Sequence, residues 1–513
     1  MLINNVVAQA SGLPRTNSIA GKTNVEPVVW RFGKTGADSK SNGFYLLQFS
    51  PNGRFLAARN RDNVVQIQDL NLRQELCQID GHESRILGLE FSPDSKFFVT
   101  AAPGVGEKTK VWETETGTLV LTLPTDARTA HFNDSGDELV LLGDKQIKYF
   151  EWPGGKELSS KTWVTGSEQP VALSRDGQLV ASYRSINNSL YQCQLTDIKT
   201  GTQILLDGPD GPAFYPKTML ISPNKQLVAA NFIRQNYVGL WDLRDPSEMK
   251  YQLAGHDKDI QSIAFSADHR FLVSTSWDKT SIIWDLLTRE AIHRIEGHSE
   301  SVTAGAFSPV GLSLATGASG RTDSSVILWD LSKFLFPSAP ETVTAESFEE
   351  SWRQLGSALA EQGLNAVNDL RYSSEVIKPL LKDRIGLLEH TVSHQVLQTW
   401  VDALDDPSFT VREQATENLL RARGLADALL HQTLRETDRS EVRYRITRIL
   451  KTPITRPEIN LAELRRLHRV VFLLELINDQ AARDLLRLIA SQHPHVDISQ
   501  DAAAALNRME RNQ

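Results

Sequence analysis

The sequence predicts a multidomain protein that is first all-β and then all-α: a seven-bladed β-propeller followed by an α-helical domain. A strand–turn–strand segment recurs seven times along the first part of the chain. After Pro340 the spacing of apolar residues changes from the two-residue period of strands to the 3.6-residue period of helices. At 513 residues the chain is also too long for one compact core. We therefore expect a disordered tail over residues 1–24, the propeller over 25–335, a linker over 336–344 and the helical domain over 345–513.

The composition is that of an ordinary globular protein, and it excludes several classes. Hydrophobic residues make up 40% of the chain and charged residues 23%. The net charge of −8 lacks the positive excess of a protein whose main ligand is nucleic acid. Two cysteines, Cys77 and Cys193, are too few for a disulfide framework or a cysteine-based metal site. No apolar run approaches the roughly 18 residues that span a bilayer, so we expect no membrane insertion.

The repeated segment has the chemistry of a β-hairpin. An apolar pair precedes Ser-Pro-Asn/Asp-Gly or a related sequence, and an apolar strand follows it. Pro, Asn, Asp and Gly favour a tight turn between two strands. The seven copies lie 41 to 48 residues apart and begin at Phe49, Phe91, Phe132, Leu173, Ile221, Phe265 and Phe307. Seven hairpins predict seven blades.

Each copy closes on a second strand, most often with an aromatic–acidic pair. These pairs are Trp112-Glu113, Phe150-Glu151, Trp241-Asp242, Trp284-Asp285 and Trp329-Asp330, with the weaker forms Gln68-Asp69 and Thr196-Asp197. Gly-His dipeptides precede three of the units, at Gly81, Gly255 and Gly297. Taken as a set, these motifs resemble the WD40 family, whose repeat folds into a four-stranded propeller blade.

The resemblance implies a buried hydrogen-bonded network in the sixth unit. His256, Ser274 or Ser276, Asp278 and Trp284 match the family's His, Ser/Thr, Asp and Trp. In this interpretation Asp278 holds the imidazole, and the indole N–H finds an acceptor through the hydroxyl. We expect only the sixth unit to carry the full network. The third and fourth units lack both Gly-His and Trp-Asp, so we expect apolar packing to hold their strands.

The ends of the repeat region predict how the ring closes. The seventh unit runs to Trp329 and then meets Pro337, with no fourth strand after it. The strand-like segment 28–32 precedes the first unit and has no blade of its own. The resemblance implies that this segment completes the seventh blade, which would protect an exposed sheet edge.

The second part of the chain has helical patterns. Ser347 and Glu350 are spaced as a capping box, and Phe348, Trp352, Leu355 and Leu359 lie on one helical face. Pro379 falls inside a helical segment, where we expect it to kink or end the helix. The aliphatic stretch 470–477 predicts a buried helix.

Residues 390–510 contain a looser repeat. A helical stripe ends at an Asp-Pro turn around Pro407, and Val411, Arg412, Ala415 and Leu419 follow on a second helix. This order resembles a HEAT repeat, with a helical bundle of no repeat ancestry as the alternative. Together the two parts resemble a group of bacterial WD40 proteins with a C-terminal HEAT-like helical domain, and that group implies no settled biochemical role.

Motifs for catalysis are absent from the sequence, which has no P-loop, dinucleotide fingerprint, nucleophile motif or zincin helix. His493-Pro494-His495 is a poor metal pair because the proline separates the two imidazoles. We therefore expect no catalytic residue, no cofactor and no metal. An enzyme, such as a hydrolase or lyase, would need acidic and His side chains from several blades to converge on the central channel.

Binding is easier to argue than catalysis. In the family that the repeats resemble, the residue before the network Asp projects onto one rim of the propeller, where partners dock. This places Trp277 and Arg61 as candidate partner-binding residues, and both types are enriched at interface hot spots. The alternative for Trp277 is packing against the loop of a neighbouring blade.

A second candidate surface is basic. Between Arg435 and Arg469 the chain has ten Lys or Arg residues against five acidic ones. Arg443, Arg445 and Arg448 are the candidate binding residues, toward an acidic protein or a nucleic-acid backbone. The alternative is a solvated helix face with local salt bridges.

These observations favour a non-enzymatic protein–protein interaction scaffold, in which the propeller rim and the helical domain are docking surfaces. The alternatives are a nucleic-acid-associated factor that uses residues 435–469, and a propeller enzyme with a channel site. We expect a cytoplasmic protein. Export is the alternative if the true start lies upstream, since Ala8-Gln9-Ala10 has the form of a signal-peptidase site.

Overall fold

A computed structural model describes most of the chain. The described residues are 28–35, 43–133, 135–162, 169–174, 176–186, 191–206, 215–243, 249, 251–338, 340–384, 394–421, 426, 429–430, 433–434, 437, 439–451, 461–493 and 495–511. The predicted tail over residues 1–24 lies outside them. The chain divides into two compact units, and their boundary in the sequence falls between Pro337 and Ser338.

The first unit is a seven-bladed β-propeller. Its strands form seven antiparallel sheets of four strands each within the described residues. Blade 1 contains β2 (Phe44–Phe49), β3 (Phe55–Asn60), β4 (Val65–Asp69) and β5 (Gln74–Ile79); blade 2 contains β6 (Gly88–Phe91), β7 (Phe97–Ala101), β8 (Thr109–Glu113) and β9 (Leu119–Leu123); blade 3 contains β10 (Thr129–Phe132), β11 (Glu138–Leu142), β12 (Gln146–Glu151) and β13 (Glu157–Thr162).

The remaining four sheets continue the ring. Blade 4 contains β14 (Gln169–Leu173), β15 (Leu179–Ser185), β16 (Tyr191–Asp197) and β17 (Gln203–Leu206); blade 5 contains β18 (Pro216–Ile221), β19 (Leu227–Phe232), β20 (Tyr237–Asp242) and β21 (Tyr251–Ala254); blade 6 contains β22 (Ile260–Phe265), β23 (Phe271–Ser276), β24 (Ser281–Asp285) and β25 (Glu290–Ile295); blade 7 contains β26 (Ser301–Phe307), β27 (Ser313–Ser319), β28 (Asp323–Asp330) and β1 (Val28–Thr35). The predicted closure is confirmed, because β1 pairs antiparallel with β28 as the outer strand of blade 7.

The repeated Ser-Pro-Asn/Asp-Gly segment forms the hairpin turn for a local reason. In blade 1 the Ser50 hydroxyl donates to Asn52 Oδ1 at 2.6 Å and accepts from the Phe55 N–H at 2.9 Å. Gly53 has φ +68°, a left-handed conformation that glycine adopts without strain. Ser92, Ser174, Ser222 and Ser266 repeat the serine contact with an Asp or Asn two residues later.

The order of strands defines the inside of the ring and its two faces. The first strands of neighbouring blades contact one another, as β2 does with β6 and β22 with β26, so they form the inner wall. In each four-stranded meander, the turn between the second and third strands lies at the same end as the connection to the next blade. We call this end of the ring the crossover face.

The second unit is helical. Before it, the short helix α1 (Ser332–Leu335) follows the last blade. The helices of the second unit are α2 (Phe348–Leu355), α3 (Ala360–Tyr372), α4 (Ser374–Arg384), α5 (His394–Asp402), α6 (Phe409–Arg421), α7 (Ser440–Lys451), α8 (Leu461–Ile477), α9 (Gln480–Gln492) and α10 (Val496–Arg511), with a 3₁₀ turn at Ala403–Asp405. The predicted buried helix is confirmed, since α8 buries residues 470–474 against α2, α3 and α10.

Local expectations in the helical unit were partly wrong. The capping box does not form: Ser347 makes no side-chain cap to α2, because its hydroxyl accepts from Thr344 N–H and Glu350 pairs with Arg353 instead. Pro379 does not end its helix, which continues through it to Arg384. Residues from the predicted linker are bonded to the helical unit, as the Val343 N–H donates to Ser373 Oγ at 2.8 Å. The likeness to HEAT repeats stays a prediction.

Candidate docking surface

The four network residues of blade 6 form one chain of hydrogen bonds. The His256 imidazole contacts Asp278 Oδ2 through Nδ1 at 2.8 Å and Ser274 Oγ through Nε2 at 2.9 Å. The Trp284 indole N–H donates to the same Ser274 Oγ at 2.8 Å. Of the two serines that the sequence left open, Ser274 takes this position, and Ser276 donates to the Lys258 carbonyl. Burial opposes ionisation of Asp278, but its hydrogen bonds outweigh this and hold its pKa well below the usual value.

The expectation that only blade 6 carries the full network was wrong. In blade 7, His298 contacts Asp323 at 3.0 Å and Thr316 Oγ1 at 2.9 Å, and Trp329 donates to that hydroxyl at 2.7 Å. Blade 2 repeats the arrangement with Glu107 as the acid. The sequence hid both copies because the acid comes later after the hydroxyl residue: Glu107 follows Thr100, and Asp323 follows Thr316, at a wider spacing than Asp278 follows Ser274 in blade 6.

The glycine of the Gly-His dipeptide has a packing reason. A Cβ at Gly297 would lie 2.6 Å from Trp329 Cη2, and Gly297 has φ +148°. At Gly81 the same distance to Trp112 Cη2 is 2.6 Å. The indole of the network tryptophan therefore lies directly against this glycine, and no larger residue fits without displacing the ring.

Trp277 lies on the crossover face with 48% of its surface exposed. It follows β23, and its backbone N–H donates to the Asp259 carbonyl at 3.1 Å, in the connection between blades 5 and 6. The Asp259 carboxylate accepts from the Arg234 N–H at 3.0 Å, which brings the corresponding turn of blade 5 alongside. Trp277 thus projects from the ring instead of being covered by the adjoining blade.

Two exposed aliphatic residues that the sequence reasoning missed occupy the same turn in the two preceding blades. Ile233 of blade 5 is 46% exposed and Ile186 of blade 4 is 49% exposed. With Trp277 they form a set that we call the docking patch. The sequence does show an apolar residue directly after the second strand in blades 4, 5 and 6. A turn normally has a polar residue at this position.

A group of tyrosines supports the docking patch from below. The Ile233 N–H donates to the Tyr215 carbonyl at 3.0 Å, and the Tyr215 and Tyr183 hydroxyls share a hydrogen bond of 2.6 Å. Tyr191 lies against both rings in edge-on geometry, with centroid distances of 4.7 and 5.7 Å. Burial, and then the hydrogen bond with Tyr215, raise the pKa of Tyr183, so the Tyr183 hydroxyl stays neutral near pH 7.

Arg61 is also on the crossover face but apart from the docking patch. It lies in the turn between β3 and β4 of blade 1 and is exposed. Blade 7 separates it from Trp277 around the ring. The structure therefore places both candidate residues on one face without bringing them together.

The three candidate arginines of the helical unit have different environments. Arg443 and Arg448 are exposed on α7, and Arg443 donates to the Thr437 carbonyl at 2.8 Å. Arg445 is only 4% exposed, and its guanidinium contacts Glu441 at 2.6 Å, Glu413 at 2.7 Å and Thr416 at 3.0 Å. Because those groups already occupy its donors, Arg445 does not offer its charge to a partner and is removed from the candidate surface.

Three further arginines of the basic segment stabilise the end of α2. Arg465 and Arg466 donate to the carbonyls of Gly356 at 3.1 Å and Trp352 at 2.9 Å. Arg469 donates to the Leu355 and Ser357 carbonyls, each at 2.8 Å. Cations at a helix C-terminus satisfy its free carbonyls and interact favourably with its dipole. This part of the segment has a structural role.

One acid–histidine pair lies on the inner wall of the ring. The His131 imidazole on β10 contacts the Glu90 carboxylate on β6 through Nδ1, and its Nε2 lies 3.1 Å from Thr129 Oγ1. The pair links the first strands of blades 2 and 3. Sequence reasoning did not anticipate it, since the two residues are in different repeats.

His493 and His495 are buried between α9 and α10, and position 494 lies outside the described residues. Burial, with repulsion from His495 and His468, lowers the pKa of His493. In the part of the chain that the structure describes, no group of three His, Cys, Asp or Glu is arranged to hold a metal. Nor do the described helices include one with the length and apolarity to cross a bilayer.

Comparison with known proteins agrees with the propeller geometry. The family described as "WD domain, G-beta repeat" matches residues 73–113, 247–285 and 289–330. The WD repeat-containing protein 26 homolog of Arabidopsis thaliana is 22% identical over 307 residues, which are 58% of this chain and 50% of that protein. The WD repeat-containing protein WDS homolog of the same plant is 24% identical over 56% of this chain and 55% of its own length.

A third relative matches over a similar share of this chain. Apoptotic protease-activating factor 1 of Rattus norvegicus is 23% identical over 325 residues, which are 55% of this chain and 25% of that protein. The alignments thus span about half or less of the relatives' own length. Seven four-stranded blades, the His–Ser/Thr–Trp networks and these matches together show that the chain contains WD40 repeats, folded as a seven-bladed propeller that a helical unit follows in the sequence.

Proposed function

We propose that the protein is a non-enzymatic scaffold that binds protein partners on the crossover face of its propeller. The observation that carries this proposal is the docking patch, in which Ile186, Ile233 and Trp277 are each nearly half exposed in the same turn of three consecutive blades. Exposed apolar residues clustered on one face mark interaction sites more often than scattered ones do.

The chemistry of the docking patch suits a protein surface. Trp is among the residues that most often dominate binding energy, and a rigid base lowers the entropy lost on binding. The base here is the Tyr183–Tyr215 hydrogen bond together with the Asp259 contacts to the turns of blades 5 and 6. Arg61 adds a positive group farther around the same face.

The helical unit supplies the second docking surface of the proposal. Arg443 and Arg448 are exposed on α7, and Tyr444 between them is 63% exposed. Nucleic acid is the less favoured partner, because Arg445, Arg465, Arg466 and Arg469 bind groups inside the unit. The proposed setting is the cytoplasm, where cysteine thiols such as those of Cys77 and Cys193 stay reduced.

Affinity capture with variants of the full chain tests the docking patch. Tagged wild type, Trp277→Ala and Leu72→Ala are compared in extracts of the cells that produce the protein. Leu72 is the matched control, since it is 60% exposed in the turn between β4 and β5 on the opposite face. We expect a protein retained by wild type and by Leu72→Ala to bind Trp277→Ala at least about tenfold more weakly. Equal retention by all three proteins would remove Trp277 from the site.

A further inference from the structure

Near the inner wall of the propeller, Arg59 is a buried cation with no carboxylate beside it among the residues that the structure describes. Its residue is 2% exposed, and its Nη1 donates only to neutral oxygens, at 3.2 Å in Asn60 and 3.5 Å in Asn63. Its Nε is buried and has no hydrogen-bond partner among the described residues. The guanidinium lies 5.9 Å from the centre of the Tyr45 ring on β2. A buried cation without a counter-ion is costly, so this site lacks a negative charge.

Two more cations lie at the crossover end of the channel, and one of them, Arg85, is close to Arg59. Arg85 lies three residues before β6, and Lys217 is the second residue of β18, so blades 1, 2 and 5 each contribute one positive charge. Lys217 contacts the neutral Gln261 side chain. In the described part of the chain, neither Arg85 nor Lys217 forms an ion pair with a carboxylate. We call Arg59, Arg85 and Lys217 the channel mouth.

Arg85 is near enough to each of the other two cations to repel it. Burial, reinforced by repulsion from Arg85, lowers the pKa of Arg59 to about 10. The same two causes lower the pKa of Lys217 to about 8, although Lys217 remains accessible to water within the ring. Arg85 therefore lies near both of the other cations, which blades 1 and 5 contribute, and Arg59 and Lys217 are predominantly charged at neutral pH.

The acidic groups nearby do not neutralise this cluster. Asp259 is close enough to attract Lys217, but this single carboxylate offsets only one of the three positive charges. Arg128, which precedes β10, has its own partner in Asp144 at 2.6 Å. The channel mouth therefore keeps an excess of positive charge.

We propose that the channel mouth binds the carboxylates of an acidic segment of the protein partner that docks on the crossover face; the exposed Arg85 and Lys217 make the contacts, and the buried Arg59 adds its charge from behind them. Charge complementarity identifies the chemistry, since guanidinium groups bind carboxylates in paired hydrogen bonds. Continuity with the docking patch favours a polypeptide: Lys217 is two residues from Tyr215, whose carbonyl accepts the Ile233 N–H. One acidic peptide with apolar side chains can fill both surfaces. This inference rests on the proposed function and names the chemistry of its partner.

A direct test uses the full chain and a short labelled peptide of alternating Glu and Leu. Its counterpart has Gln in place of Glu, and fluorescence anisotropy measures both. We expect the Glu peptide to bind wild type more tightly than the Gln peptide, with an affinity that falls as salt rises. The double variant Arg85→Gln/Lys217→Gln should bind it at least about tenfold more weakly. Lys156→Gln, an exposed cation in the turn between β12 and β13 on the opposite face, is the control and should bind like wild type.

Two results would overturn the inference. One is equal binding of the Glu peptide to wild type and to the double variant, with both folded by circular dichroism. The other is an oligothymidine that binds the same residues more tightly than the peptide does, which would assign the channel mouth to phosphate. Neither result affects the docking patch, because retention of a partner through Trp277 is measured separately.

Discussion

Blades 4 and 6 have the same four-stranded sheet, but their interiors are satisfied differently. In blade 6, Ser274 lies two residues beyond the partner of Trp284, and its hydroxyl binds both that indole and His256. By the same register, blade 4 places Ser182 and Thr196 at these two positions. Both hydroxyls of blade 4 are buried without a hydrogen-bond partner among the described residues. Blade 6 thus has a complete polar network, whereas blade 4 has two buried hydroxyls without a hydrogen-bond partner among the described residues.

This difference shows that the blade fold does not depend on the network. In blade 3, Leu141 and Phe150 occupy the two corresponding positions. Both are 1% exposed and belong to one apolar cluster. The expectation that blade 3 is held by apolar packing is confirmed. In blade 4, Ala181 and Leu195 supply such a core, but Ser182 and Thr196 remain polar inside it. A network is stabilising when it is complete and costly when only part of it remains.

The largest expected effect comes from breaking the complete network. Ser274→Ala leaves His256 Nε2 and Trp284 Nε1 buried without the hydroxyl that both contact. We expect a loss of about 2–4 kcal/mol in the free energy of unfolding of the propeller, since each unsatisfied buried group costs about 1–3 kcal/mol. Urea titration monitored by tryptophan fluorescence measures this loss. Thr316→Val in blade 7 should behave alike, and a loss below about 0.5 kcal/mol in both variants would contradict the comparison.

Lowering the pH tests how much the charged group of a complete network contributes to stability. Hydrogen bonds from His298 and Ser325 outweigh the burial of Asp323 and lower its pKa to about 2. Because this pKa is below the ordinary value of 3.8, the ionised carboxylate stabilises the folded state above pH 3.8, and that contribution disappears as the pH falls toward 2. We expect about 2 kcal/mol of acid-dependent stability from this group.

Asp323→Asn provides the control for the acid prediction. Urea midpoints are measured between pH 5 and pH 3 for both proteins. The variant should be less stable at pH 5 and lose less stability on acidification than wild type does. Parallel curves for the two proteins would show that Asp323 does not contribute.

The smallest expected effect is in blade 4. Ser182→Ala removes a buried hydroxyl that has no partner among the described residues. We expect the free energy of unfolding to stay within about 1 kcal/mol of wild type, on the stabilising side, because no hydrogen bond is lost. Differential scanning calorimetry of Ser182→Ala and Ser274→Ala compares the change in stability at the same strand position in blades 4 and 6. A destabilisation equal to that of Ser274→Ala would mean that blade 4 has a hidden partner for Ser182.

The repeat region was more predictable than the site. Seven turn motifs and the unpaired segment 28–32 predicted both the number of blades and the closing strand, because hairpin chemistry is local. The acids of blades 2 and 7 escaped detection, since Glu107 and Asp323 reach their histidines across loops of different length. The capping box failed for a similar reason: its spacing was right, but Thr344 and Arg353 competed for the same groups.

The candidate binding residues show most clearly what the sequence alone could not predict. Arg443, Arg445 and Arg448 look equivalent along the chain, yet burial against Glu413 and Glu441 takes only Arg445 out of the surface. Ile186 and Ile233 were visible as apolar turn residues, but their alignment with Trp277 depends on how consecutive blades are arranged.

By itself the sequence determined the repeat, the hairpins, the ring closure and the change from strands to helices, because these follow from local turn chemistry and the period of apolar residues. Only the tertiary structure decided which polar groups meet. Arg59, Arg85 and Lys217 lie far apart along the chain, and it is the curvature of the ring that turns three unrelated cations toward one channel. Charge acts through space, so a cluster of this kind leaves no pattern in the order of residues.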